Sequence, residues 1–397
     1  MRRLSKLTPY VLTVLLAIST CPPVRTSASA PDLNSRCVME MGGKQAPNQA
    51  RDLKAGEIEL PAPTGPYAVG RVSFHWTADT KGQGSVPNSS GHREVMVHLW
   101  YPANLEAGLK PAPYVPGLET IEQQLKKPGD PIFDRLKLVH GHAVSGAKLS
   151  SSPGKFPILL FLHGSPGSSF QYASQTEELA SHGYIVAGVE SPNIATAVLF
   201  PDGRLIPAKP LPTNREELKE WGTNKGPIQQ ALDAQIALSN LEILNARDPG
   251  GRFTGRLDLN RIGVIGHSSG GRAAAYTCLI ATRVKACLSM GGFPPPDQVI
   301  ESGVTQPFMV MTNYDNLKEV PDEVLATRGM TREKLNALIA EHVRQRQTTL
   351  ESAAKSLGYL VEIRGALHNS FSDVPFMFPE TYRDNYLDGA RVSRIIK

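Results

Sequence analysis

Apolar and polar positions alternate along residues 67–76 and again along 93–101, both carrying Val, Phe, Trp and Tyr, which predicts two half-buried strands joined by the Gly/Ser-rich segment 80–91. From residue 155 the pattern changes. Residues 155–162 and 184–189 are unbroken apolar runs, the mark of strands buried on both faces in a parallel sheet. Residues 261–265, 284–290, 307–312 and 359–364 read as further strands. Between them, 170–182, 229–246, 272–279 and 331–356 carry apolar residues at helical spacing or helix-favouring composition. Asn214 is placed to cap another helix, with Gly226-Pro227 expected to break it from the next. After the opening pair, strands and helices alternate, so the expectation is an α/β fold: a mostly parallel central sheet of about eight strands with helices on both faces. Residues 102–153, rich in Pro and Gly, have helical patches near 121–127 and 132–138 and read as an insertion forming a cap or pocket wall. Residues 191–212 read as an irregular, proline-broken loop. No internal repeat or second domain is evident, which leaves one domain over 61–397.

The formal charge of +5 would suggest a basic protein, but Arg2, Arg3, Lys6 and Arg25 lie in the first thirty residues, which hold no Asp or Glu. The remaining body is nearly neutral, which argues against nucleic acid as a partner. Residues 1–30 resemble a secretion signal: a basic start, an apolar core at 10–18 too short to span a bilayer, and small residues around 26–30. Cleavage after Ala28 or Ala30 fits, and Cys21 offers lipoprotein attachment as an alternative. The expected location is secreted or periplasmic, with 31–60 as an exposed arm and no later stretch apolar enough to span a membrane. Cys278 and Cys287 fall on a helix and the following strand. An oxidising compartment permits them to bridge, and two buried free thiols are the expectation. No clustered His/Cys set suggests a metal, and no cofactor is implied.

The chemistry concentrates where strand 261–265 meets the helix that follows, at Gly266-His267-Ser268-Ser269-Gly270. A G-x-S-x-G between strand and helix holds a serine hydroxyl on a tight bend, beside N–H groups at the helix start. Only Ser268 is in register, because Ser269 would need a glycine where His267 stands. A serine becomes nucleophilic when a base removes its proton, and histidine is the usual base. In α/β-hydrolases the order along the chain is serine, acid, histidine. Of ten histidines, seven precede the elbow, His267 adjoins Ser268 with its side chain pointing elsewhere, and His342 lies inside the long helix. His368 alone follows the last strand in a loop. For the acid that orients the base, Asp315 comes just after strand 307–312; Asp297, after 284–290, is the runner-up, and Glu190 and Asp373 read as structural. The oxyanion donors are expected to be the backbone N–H groups of Ser269 and of Ser165, since Pro166 has none.

On these residues the chain resembles the platelet-activating-factor acetylhydrolase-like esterases, serine α/β-hydrolases, from about residue 93 to 374. The elbow 266–271 carries the likeness, with Phe161-Leu162-His163-Gly164, Leu179-Ala180-Ser181-His182-Gly183-Tyr184-Ile185-Val186-Ala187, Pro113-Tyr114-Val115-Pro116-Gly117 and His368-Asn369-Ser370-Phe371-Ser372-Asp373. The resemblance implies an α/β-hydrolase fold and a carboxylesterase or lipase-like hydrolysis of small-molecule or lipid esters, through a Ser-His-Asp triad and an acyl-enzyme. There is one departure. Those enzymes carry the acid directly after the strand that follows the elbow helix, and here Leu288-Ser289-Met290-Gly291-Gly292 has no carboxylate. Either Asp315 has taken the role or the triad is incomplete. The competing readings are a peptidase or amidase with the same triad, and a catalytically silent binding protein on this fold.

Overall fold

The computed structural model describes residues 54–79, 92–127, 130–313, 322–327, 330–363 and 365–379. The expected signal segment 1–30 with Cys21, residues 31–53 of the expected arm, and Asp315 lie outside them. In chain order the strands are β1 (Ile58–Glu59), β2 (Ala68–Asp79), β3 (His92–Asn104), β4 (Val139–His140), β5 (Val144–Ser145), β6 (Lys148–Leu149) and β7 (Phe156–Leu162). They continue with β8 (Ile185–Glu190), β9 (Ala197–Leu199), β10 (Leu205–Pro207), β11 (Leu257–His267), β12 (Val284–Met290), β13 (Phe308–Asn313) and β14 (Gly358–Ile363).

Ten of these strands form one sheet in the order β14-β13-β12-β11-β7-β8-β3-β2-β5, with β6 paired to β3. The six strands from β14 to β8 run parallel, β3 is antiparallel to β8 and to β2, and β2 pairs in parallel with β5. The eight strands read from the sequence are the eight long ones. The other two, β5 and β6, are two-residue pairings inside the 102–153 insertion, too short to show a period.

Side-chain alternation along the strands sorts the core into two layers. Ile158, Leu160 and Leu162 of β7, with Val95, Val97 and Leu99 of β3, face the helices Gly226–Ala246 and Ser269–Ile280 through Ala231, Ala234, Leu241 and Ala273. Phe161, Trp100 and Val186 point the other way, toward Phe170, Tyr172, Ala180 and Phe371. This is the α/β-hydrolase fold, and it sets the carboxyl ends of β7, β11 and β12 side by side, with the chain leaving β14 close to them.

Several local expectations change. The helix starting at Arg215, capped by the Asn214 side chain, is not broken at Gly226-Pro227; a π-helical turn, Trp221–Lys225, carries it into Gly226–Ala246. Proline falls in the first turn of that helix, where its missing N–H costs least. At the described end of the expected arm, β1 pairs with β4 and Leu60 is buried, while residues 54–56 and Glu59 are exposed. The 191–212 loop contains the hairpin β9–β10. Cys278 and Cys287 are bonded to each other rather than free. The elbow helix packs back on β12 and brings their Cα atoms to 6.3 Å, within bridging range. Among the described residues no helix is long and apolar enough to cross a membrane.

Candidate active site

Ser268 sits between the end of β11 and the helix Ser269–Ile280 with φ 56° and ψ −120°, a conformation unusual for a residue with a Cβ. The surroundings hold it there. Its N–H donates to the Met290 carbonyl at 2.8 Å, and its carbonyl accepts from Gly271 N–H at 3.0 Å. A Cβ on Gly266 would overlap the Gly270 carbonyl, and one on Gly270 would overlap Leu162 of β7, so both glycines are imposed by close approach of backbone. Ser268 itself remains half-exposed.

His368 opens a short 3-10 turn, His368–Phe371, closed by Ser370 Oγ accepting from Leu367 N–H at 2.9 Å. Its Nε2 lies 3.0 Å from Ser268 Oγ, although 100 residues separate the two. Burial first, and then the Arg272 cation, lower the His368 pKa to about 4, so the ring is a neutral acceptor at ordinary pH. Its Nδ1 is buried and has no hydrogen-bond partner among the described residues. Gly291, at φ 62°, lies against this ring; a Cβ there would stand 3.1 Å from Nδ1.

The loop after β7 faces the elbow. The peptide Ser165-Pro166 is cis. Gln230, fully buried, ties loop to elbow: its Nε2 donates to the His163 carbonyl at 2.9 Å and its Oε1 accepts from Ser269 Oγ at 2.7 Å. Gly164 N–H is committed to Tyr172 Oη at 3.2 Å, whereas the backbone N–H groups of Ser165 and Ser269 donate to no other group among the described residues. The helix beginning at Ser269 adds a partial positive charge at this point.

The carboxylates fall apart as follows. Asp315 lies outside the described residues. Asp297 starts the helix Asp297–Ser302, and its Oδ2 accepts from Asn224 Nδ2 at 2.9 Å. Glu190 ends β8 and accepts from Ser169 N–H at 2.7 Å. Asp373 is buried and accepts from Ser174 and from Tyr114 Oη, and burial raises its pKa to about 7. It pins the histidine loop to the helix Ala173–Ser181 and to the insertion. None of these three is a partner of His368 Nδ1.

An apolar cavity of about 350 Å³, walled by Val115, Ile121, Leu136, Val198 and Phe200, reaches Ser168 and Gln171 just after the loop that follows β7, and neither Ser268 nor His368 lines it. At its sheet side His98 Nδ1 and Ser73 Oγ are 2.7 Å apart, and burial lowers the His98 pKa to about 3.

The family model of platelet-activating factor acetylhydrolase, isoform II, matches residues 53–201 and 235–387. The chain belongs to this family. The platelet-activating factor acetylhydrolase of Cavia porcellus is 25% identical over 281 residues, which are 65% of this chain and 62% of that protein. The chain thus matches under two thirds of that relative's length. The Gallus gallus protein of the same name is 22% identical over 371 residues, 83% of this chain and 79% of that one. Among solved structures, the ferulic acid esterase from Streptomyces cinnamoneus aligns with a TM-score of 0.57 and 25% identity, over 86% of this chain and 90% of the other. The family and this neighbour are, by name, ester hydrolases. The family match omits 202–234, which holds β10 and the π-helical turn, while it covers Ser268 and His368.

Sequence reading missed Gln230, Tyr172 and the contacts of His267. Tyr172 lies in the polar stretch 168–175 and Gln230 follows Gln229, so nothing in the local sequence marks either as the buried polar group that needs a partner.

Proposed function

We propose that the chain is a carboxylic-ester hydrolase working through Ser268 and His368. The observation that carries this reading is the 3.0 Å approach of His368 Nε2 to Ser268 Oγ at a backbone-strained elbow. His368 takes the Ser268 proton as Oγ bonds to the ester carbonyl carbon. The N–H groups of Ser165 and Ser269 hold the oxygen that becomes negative. That assignment is favoured because Gly164 N–H is spent on Tyr172. Collapse breaks the ester C–O bond, and His368 returns its proton to the departing alcohol. Water then attacks the acyl-enzyme by the same route in reverse. Asp315 is the proposed orienting acid: β13 ends at Asn313, one strand from the Gly291 that touches His368, and Nδ1 awaits an acceptor. The apolar cavity takes the hydrophobic part of the ester. The Cys278–Cys287 bridge supports export to an oxidising compartment.

The test is hydrolysis of short p-nitrophenyl esters together with labelling by a fluorophosphonate. Ser268→Ala and His368→Ala should each lose at least about 10⁴-fold in kcat, and Ser268→Ala should lose the label. Full activity in both variants would refute the assignment. Comparing an ester with its matching amide separates an esterase from a peptidase.

A further inference from the structure

His267, the variable position of the G-x-S-x-G, is buried, and so is Tyr172. Their hydrogen bonds can be oriented without ambiguity. The His368 carbonyl only accepts, so the His267 Nε2 that lies 2.9 Å from it carries the proton. His267 Nδ1 is then a bare acceptor, and the Tyr172 hydroxyl, 2.7 Å away, donates to it. The Tyr172 oxygen accepts in turn from Gly164 N–H at 3.2 Å. Every bond points the same way: Gly164 N–H to Tyr172, Tyr172 to His267, His267 to the backbone of His368.

The rings are packed as tightly as they are bonded. The His267 and His368 ring centroids are 4.7 Å apart, and Phe371 lies 5.9 Å from His267. A Cβ on Gly164 would stand 3.2 Å from Tyr172 Oη, 3.3 Å from His267 Nδ1 and 3.3 Å from Ser268 Cβ. One small volume therefore joins the loop after β7, the elbow and the histidine loop.

We propose that Tyr172 and His267 are positioning residues forming a one-way hydrogen-bond relay that sets the loop bearing the oxyanion donor in register with the backbone of His368. The inference rests on the reading of Ser268 and His368 given above. Holding Gly164 N–H turns that peptide away from the substrate and leaves the next amide, that of Ser165, to face the elbow. Holding the His368 carbonyl fixes where the imidazole starts, so both ends of the relay act on groups that must meet one reacting carbonyl. The relay needs a neutral His267, because an imidazolium could not accept from Tyr172. Burial, with the nearby His368 second, pushes the His267 pKa well below its ordinary value, and burial pushes that of the Tyr172 hydroxyl up, so both hold the required protonation.

The experiment is a double-mutant cycle on the full chain with Tyr172→Phe, which removes one oxygen, and His267→Phe, which keeps a ring and removes both bonds. The readouts are kcat and KM on a p-nitrophenyl ester and the rate of fluorophosphonate labelling, with melting temperatures measured alongside. Each single variant should lose about 10- to 100-fold in kcat and in labelling rate, with KM within about two-fold. The double variant should be no worse than the worse single, because either change breaks the same chain. Unchanged kcat, a loss confined to KM, or losses that multiply in the double variant would each overturn the relay. Ser268→Ala is run in parallel. If it keeps activity, the site assignment itself fails; if it is dead while Tyr172→Phe and His267→Phe are unimpaired, only the relay fails.

Discussion

The floor of the site and the wall beside it are built differently. The floor is made by the carboxyl ends of β7, β11 and β12 and the loop after β14. Its polar side chains, Gln230, Tyr172 and His267, are buried and bonded at both ends. The wall is made by 111–137 and 196–225. Its helix Leu118–Leu125 has no buried residue and Ile132–Lys137 has only Phe133. Its ion pairs, Lys126 and Lys137 on Glu122, are at the surface, where such pairs contribute little. Buried links tie the first part of the wall down: Arg71 of β2 donates to the carbonyls of Pro113 and Tyr114, its guanidinium lies over Phe170 and Trp100, and Tyr114 Oη donates to Asp373. The difference separates two jobs. A reaction needs fixed geometry, which only packed backbone and saturated hydrogen bonds provide. Substrate choice needs surface that can vary, and the family match is interrupted at 202–234, which takes in 202–225 of the wall and also Gln230 of the floor.

Breaking the floor should therefore be costly in turnover. The most damaging single change is Gly270→Ala, because its Cβ would overlap the Leu162 carbonyl, which is backbone and cannot give way. We expect destabilisation of about 3 kcal/mol or more, read as a lowered melting temperature, and no measurable ester hydrolysis. Asp315→Asn should follow, with kcat down about 10⁴-fold and the fold intact, because an amide cannot hold the imidazole tautomer that a carboxylate holds. Asp297→Asn should stay within about two-fold, since Asp297 is engaged with Asn224. A reversal of these two effects would move the acid to the loop after β12.

The strands that carry the floor and the two helices of the wall were legible in the sequence, whereas the floor's buried polar links and the short strands of the insertion were not, and the reason is periodicity. The runs at 155–162, 184–189 and 284–290 are buried on both faces and stand out as strands. Their ends then place Ser268 and His368 by chain order alone. In 102–153 the strands β4, β5 and β6 are two residues each, and local composition says nothing about where they pair. The same limit hid the π-helical turn at Trp221–Lys225, within which the Gly222 carbonyl accepts from Arg272, a residue 50 positions away. The Cys278–Cys287 bridge was missed because it depends on the 6.3 Å approach of helix and strand, and no sequence spacing reports that.

Arg272 is the joint between the two regions and offers a milder test. Its guanidinium donates to the carbonyl of Gly222 in the wall and to those of Phe293 and Pro294 after β12. Its charge is also the second cause, after burial, of the low His368 pKa. On the proposed mechanism the base works as neutral imidazole, so kcat/KM should be level above its pKa and fall tenfold per unit below it; burial and Arg272 alone put that pKa at about 4, and a carboxylate on Nδ1, the role proposed for Asp315, sets the bend above that value. Arg272→Met removes a cation that opposes protonation of His368, so the bend should move to higher pH by a fraction of a unit. Arg272→Lys should leave it in place. A bend that stays fixed in Arg272→Met would mean that burial alone sets it.

The effect expected of the wall falls on substrate choice and leaves the short esters untouched. Ile121 lines the 350 Å³ cavity from the helix Leu118–Leu125, away from Ser268 and His368. Transfer of each methylene from water into such an apolar space is worth about 0.8 kcal/mol, close to four-fold per carbon. With p-nitrophenyl esters of increasing acyl length, kcat/KM of the unaltered protein should climb until the cavity is full and then level off. Ile121→Trp shortens the space without touching the floor. It should leave the acetyl ester unchanged and reduce kcat/KM for chains of about six to ten carbons roughly tenfold, through KM rather than kcat. If Ile121→Trp lowers every chain length by the same factor, the cavity does not seat the acyl chain. If it lowers none, the wall at this point is not in contact with the substrate, and the division between a floor that reacts and a wall that selects would have to be drawn elsewhere.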